Sequence, residues 1–324
     1  MARFGFHASH EEFAPGALLN AVRSAEGAGF ELGMCSDHFA PWSNSQGHSG
    51  FAWSWLGAAL ASTGSMPFGV VTAPGQRYHP AIVAQAAATL AGMFPGRFWV
   101  AVGSGQALNE HITGDAWPKK AERNARLLES VEVMRALFAG ETVSHDGRVR
   151  VDRARLYSLP EEPPPVFAAV VTPETARWAG GWADGLITIN RPSEQLEEVV
   201  AAFREGGGEG KPLKLQVHLS YHPDEDEALR VAHGRWRYNI LGSDVAWDLE
   251  MPEDFEQVAA YIRPEDVHPS VLVSSDLARH ADWLGTFAEL GFKEIYLHQV
   301  GEDQEGFVEA FGEKVLPALK GVPS

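Results

Sequence analysis

Cysteine is nearly absent: Cys35 is the only one in 324 residues, which excludes a disulfide framework and points to a reducing compartment. Long apolar runs are missing too, since no stretch approaches the roughly 20 residues that a bilayer span needs. Basic side chains are scarce, with 26 Lys and Arg against 43 Asp and Glu and a net charge of −17. That balance favours solubility and repels polyanions, so neither nucleic acid nor an anionic membrane is expected as a partner. Met1-Ala2-Arg3 runs straight into Phe4-Gly5-Phe6 without the h-region of a secretion signal, and a cytoplasmic protein is expected. The chain also lacks a Walker loop, a nucleophile elbow, a helical HExxH pair, internal repeats and low-complexity tracts.

What is present is an alternation of short apolar runs with amphipathic stretches. Strands are predicted at Phe4–His7, Leu32–Cys35, Phe68–Thr72, Phe98–Gly103, Val166–Val171, Gly185–Ile189, Leu213–Leu219 and Ile295–Gln299. Their near-continuous apolar character suits parallel strands buried on both faces. Helices are predicted between them at Pro15–Ala28, Phe51–Ser62, Pro80–Met93, Lys120–Phe138, Pro173–Trp182, Ser193–Arg204, Asp224–Arg235 and Leu277–Leu290. Eight strand–helix alternations imply a (β/α)₈ TIM barrel, α/β in class, as one domain over 1–324. Thr142–Pro165 and Tyr238–Arg263 do not fit a minimal barrel and read as insertions.

Barrel active sites gather at the carboxyl ends of the strands. After the second predicted strand comes Ser36-Asp37-His38-Phe39-Ala40-Pro41-Trp42. His38 there either abstracts a proton near neutral pH or is a histidine satisfied by local backbone, with Trp42 covering the rim. After the fourth comes Gly103-Ser104-Gly105-Gln106-Ala107-Leu108-Asn109-Glu110. Its glycines let backbone approach a flat ligand, and Gln106 and Asn109 offer donors and acceptors. After the fifth, Thr172-Pro173-Glu174-Thr175 starts a helix that either holds a phosphate or is simply capped. The 13 histidines are scattered and no catalytic metal is expected.

Ser36–Trp42, Arg77-Tyr78-His79-Pro80, Gly103–Glu110 and Trp182-Ala183-Asp184-Gly185 together resemble the luciferase-like monooxygenase superfamily. Within it the chain is most similar to deazaflavin-dependent glucose-6-phosphate dehydrogenases, over nearly its whole length. The resemblance implies a flavin or deazaflavin in the barrel mouth. It makes His38 the base for a substrate hydroxyl and Trp42 its neighbour at the reacting centre, with Asp37 and Asn109 on the ring system. It places a non-prolyl cis peptide at Val70-Val71. The implied cofactor-binding set is completed by Thr72, Ser104, Gly105, Gln106, Val171, Thr172 and Thr175.

Three departures from those dehydrogenases shape the expectation. Gln106 stands where they carry a proton-donating glutamate, Val170-Val171-Thr172 replaces a glycine pair beside the cofactor, and only Arg191 suggests a phosphate-binding cation. The resemblance therefore implies a flavin oxidoreductase or monooxygenase of a sister branch, with FMN favoured over coenzyme F420. It acts on a small molecule through His38, Trp42 and Gln106, with Trp42 and Arg191 toward the substrate. The alternatives are an F420-dependent sugar-phosphate or alcohol dehydrogenase, a non-catalytic flavin-binding barrel, and a metal-dependent hydrolase. A homodimer is expected, because ten Trp leave aromatic surface to cover.

Overall fold

The structure, a computed structural model, describes residues 1–320, all but Ser243 and Asp244 with their side chains. Eight parallel strands form a closed ring: β1 (Arg3–Ala8), β2 (Leu32–Ser36), β3 (Phe68–Thr72), β4 (Phe98–Val102), β5 (Val166–Ala169), β6 (Gly185–Ile189), β7 (Leu213–Tyr221) and β8 (Glu294–Gln299). Closure comes from β8, which pairs with β1 (Ile295 opposite Phe4) and with β7 (His298 opposite His218). Helices α1 (Pro15–Gly27), α2 (Ala52–Ser62) and α3 (Pro80–Met93) follow the first three strands, and α4 (Lys120–Phe138) follows β4 after a short helix at Ala107–Glu110. Further round the ring come α5 (Pro173–Gly180), α6 (Ser193–Phe203), α7 (Glu225–Trp236) and α8 (Leu277–Glu289).

Each strand is buried on both faces, so alternation decides which side chains enter the barrel. Leu32, Met34, Trp99, Ala101, Phe167, Ile187 and Tyr296 pack together inside it. Phe4, Phe6, Val70, Val100, Leu215 and Leu297 point outward and join the large core under the helices. Gly69 is needed for close approach: a Cβ there would stand 1.9 Å from the Trp99 ring. Deeper still, Lys214 is ion-paired with Glu294, and its ammonium lies 4.6 Å from the Trp99 ring centre and 4.5 Å from that of Phe167. The barrel floor is therefore plugged, and only the opposite end, at the strand carboxyl termini, can admit a ligand.

The two irregular segments are resolved into distinct pieces. Within Thr142–Pro165 lies an antiparallel hairpin, Val143–Asp146 with Arg150–Ala154. Tyr238–Arg263 holds two short helices, Ser243–Ala246 and Pro252–Ala259. A strand not foreseen from the sequence, Leu272–Ser274, extends the sheet beside the far end of β7. Its three residues are too few to give a periodic signal. Among the described residues, no helix is long and apolar enough to cross a membrane.

Candidate active site

A cavity of about 550 Å³ opens at the carboxyl ends of the strands. Its wall includes Asp37, His38, Trp42, Val71, Thr72, Ser104, Gly105, Gln106, Asn109, Val171 and Thr175. The loops after β2 and β4, far apart in sequence, thus meet at one site.

The His38 imidazole is held from two sides. Its ring centre is 4.9 Å from that of Trp42, and its Nδ1 is 3.3 Å from Glu11 Oε1, within ion-pair distance though not aligned for a hydrogen bond. Glu11 is in turn oriented by Ser36 and Ser9, whose hydroxyls donate to Oε2 at 2.6 and 3.0 Å. Burial lowers the His38 pKa below the ordinary imidazole value, and the Glu11 charge partly restores it. Burial would raise Glu11, but the attraction of His38 and the Ser36 hydrogen bond outweigh it and leave that carboxyl lowered. A neutral imidazole beside a carboxylate is equipped to take a proton and then be stabilised as a cation.

Asp37 is fully committed to the protein. Thr72 Oγ1 donates to its Oδ2 at 2.7 Å, Tyr78 donates to Oδ1 at 3.0 Å, and Arg77 Nη2 lies 3.5 Å from the same oxygen. Arg77 also donates to the Asp37 carbonyl at 2.7 Å. Asn109 accepts from the Phe39 amide at 2.8 Å and donates to Gln106 Oε1 at 3.1 Å. Gly105 adopts φ +84°, left-handed backbone that turns the chain into the short helix carrying Asn109. Glu110 closes this wall: its Oε2 accepts from the Arg77 amide at 2.7 Å, its Oε1 has no hydrogen-bond partner, and burial raises its pKa.

Three sequence-derived assignments fall outside the cavity. Val70 points into the helix-covered core, because alternation along β3 sends only Val71 inward. The hydroxyl of Thr172 caps α5, accepting from the Thr175 amide at 3.3 Å, and leaves Thr175 on the wall. Arg191 does not line the cavity. The Val70–Val71 peptide is trans, as are all peptides among the described residues. On either side of β3 the ladder pairs both residues in register, Cys35 with Val70 and Val71 with Ala101.

Other wall residues were not singled out from the sequence. Glu11, His7, Gln216, His218 and His298 enter from β1, β7 and β8 or the turn after β1, and Trp236 and Asn239 from the end of α7. Lys119, Lys120 and Arg123 enter at the start of α4. No sequence motif joins them; only strand register brings His7, His218 and His298 side by side.

Comparison with known proteins agrees with this architecture. The family model described as luciferase-like monooxygenase matches residues 1–294. An F420-dependent glucose-6-phosphate dehydrogenase of Beutenbergia cavernae is 37% identical over 99% of this chain and 98% of its own. The protein of the same description from Nakamurella multipartita is 35% identical over 99% and 97%. Among solved structures, an F420-dependent secondary alcohol dehydrogenase in complex with an F420–acetone adduct superposes with a TM-score of 0.91 and 30% identity, covering 98% of this chain and 99% of that one. The F420-dependent tetrahydromethanopterin reductase of Methanopyrus kandleri shares the fold, with a TM-score of 0.77 at 20% identity.

Proposed function

Because the chain belongs to the luciferase-like monooxygenase family, we propose that it is an F420-dependent dehydrogenase that oxidises a hydroxyl group on a small molecule, or runs the reverse reduction. The single observation that carries this is the buried His38–Glu11 pair beside Trp42, in the same cavity as the Gln106–Asn109 wall. The reading differs from the FMN preference drawn from the sequence. Relatives of 35–37% identity over nearly the full chain are described as F420-dependent, which supports the deazaflavin.

The residues fit such a cofactor. Met34, Val71, Ala169 and Ile187 supply apolar surface for a planar ring system, and Gln106 supplies a carboxamide. Lys119, Lys120 and Arg123 stand at the same cavity beside the N-terminus of α4, and the Arg123 Nε is buried without a partner. These cations suit the anionic tail of a flavin or deazaflavin. When bound, a deazaflavin supplies a two-electron hydride acceptor.

The chain's own groups do the rest. With a deazaflavin bound to accept the hydride from the carbinol carbon, His38 would take the hydroxyl proton and Glu11 would stabilise the imidazolium that results. Trp42 packs against His38 and fixes the imidazole plane. Asn109 holds Gln106 and the backbone after His38 in a fixed relation. Gln106 contributes hydrogen bonds but no proton, and the acid on its wall is Glu110. Bleaching of F420 absorbance by purified protein with a panel of alcohols tests the reading. Turnover with F420 and none with FMN is expected; turnover with FMN alone sinks it.

A further inference from the structure

The insertion Tyr238–Arg263 contributes Ala246, Trp247 and Asp248 to the cavity wall, where it meets the segment that follows β4. The Trp247 carbonyl accepts from the Ala107 amide at 3.0 Å, and Asp248 Oδ1 accepts from the Trp117 indole at 2.9 Å, 131 residues away in sequence. Behind these ties Ala246 belongs to a buried apolar cluster with Trp42, Leu108, Tyr238 and Phe255, which anchors the crossing. The same Asp248 oxygen lies 3.4 Å from Arg123 Nη1, and the Arg123 guanidinium stands over the Trp117 ring, 4.4 Å from its centre. Arg123 belongs with Lys119 and Lys120 to the cations at the start of α4, and all three line the cavity together with Asp248. The side chains of the other carboxylates on the wall, Glu11, Asp37 and Glu110, are 4%, 1% and 2% exposed and face His38 or Arg77. That of Asp248 is 64% exposed and stands among the α4 cations.

We propose that Asp248 is a specificity-determining residue for the anionic end of the bound ligand: its negative charge, set against Lys119, Lys120 and Arg123, weakens their hold and keeps binding reversible. The inference deepens the dehydrogenase reading and rests on it for the identity of the ligand as a deazaflavin, though not for the binding of an anion. Two physical roles are open to this carboxylate, and they predict opposite signs. As a strut it fixes Trp117 and Arg123, and its loss loosens the wall and weakens binding. As a charge it neutralises part of Arg123 and repels an anion approaching the same cations, so its loss strengthens binding. Exposure favours the second role, because a solvated ion pair contributes little to structure. The bond from the Trp117 indole does not need the charge either, since a carboxamide oxygen accepts it as well. A hydride carrier reduced in one turnover must depart before the next, and product release limits many enzymes. Three cations without an opposing charge would retain a polyanion, and Asp248 supplies that opposition.

Asp248→Asn removes the charge and keeps an acceptor for the indole. F420, a deazaflavin lacking the anionic tail, and inorganic tripolyphosphate are each titrated into the full-length parent and variant, by fluorescence for the first two and calorimetry for the third. The variant should hold F420 and tripolyphosphate about fivefold to tenfold more tightly, chiefly through slower dissociation, with the tail-free deazaflavin unchanged. The gain should shrink in about 1 M salt, where charges are screened beyond roughly 3 Å. Asp248→Glu, which keeps the charge, should stay near the parent. Tripolyphosphate binding that is unchanged or weaker in Asp248→Asn, or an equal gain for the tail-free deazaflavin, would overturn the proposal. Tighter tripolyphosphate binding by the variant with no F420 binding by either protein would instead sink the dehydrogenase reading and leave the role of Asp248 standing.

Discussion

Asn109 accepts a hydrogen bond from the Phe39 backbone at 2.8 Å, across 70 residues of sequence. The same carboxamide donates to Gln106, so one side chain sets the spacing between the loop bearing His38 and the loop that lines the facing cavity wall. Asn109→Leu keeps the volume and removes both bonds. Leaving the Phe39 amide and Gln106 carboxamide unsatisfied should cost about 1–3 kcal/mol in stability. Cofactor affinity should fall as well, read by F420 fluorescence quenching; a variant with unchanged melting and unchanged affinity would show that the tie does neither job.

His38→Ala should lower kcat by about 10²–10⁴-fold, the usual worth of a positioned general base, while F420 affinity stays near that of the parent. Steady-state kinetics with saturating F420 decide this. Retention of full turnover would remove His38 as the base.

The pH profile follows from the sign of the His38 shift. Burial lowers its pKa, so the base form persists through neutrality, and kcat/KM should be level near pH 7 and fall only on acidification below the ordinary imidazole value. Glu11 raises the His38 pKa by its charge. Glu11→Gln should therefore move the acid limb to still lower pH while reducing kcat, because the imidazolium loses its stabilising partner. An acid limb that moves upward would contradict the pairing.

Two adjacent valines separate packing from binding. Val70 is wholly buried under the helices, so Val70→Ala should cost about 2–3 kcal/mol of stability and leave cofactor affinity unchanged. Val71 faces the cavity, so Val71→Phe should block the cofactor with a smaller change in melting temperature. Denaturant melts and F420 titrations on the same pair provide the check.

That pair also shows what the sequence could convey. The strands are legible because parallel strands buried on both faces leave continuous apolar runs, and the loops carrying His38 and Gln106 are legible because they follow directly. The same continuity hides which face each residue takes, so Val70 and Val71 read alike until the ladder orients them. Thr172 carries both the signature of a cap and that of a phosphate-binding turn, and its hydroxyl accepts from the Thr175 amide at the start of α5. His7, His218 and His298 were beyond reach, since they become neighbours only through the pairing of β1, β8 and β7. Glu11 was hidden likewise: it lies 27 residues before His38 and meets it only across β1 and β2.

Direct competition between the two cofactors bears most heavily on the account. F420 and FMN should be titrated singly and together into the purified protein, with fluorescence reporting occupancy. The account predicts stoichiometric F420 binding at micromolar concentration or tighter, lost in Val71→Phe and undisturbed by excess FMN. Stoichiometric FMN binding with no measurable affinity for F420 would contradict it.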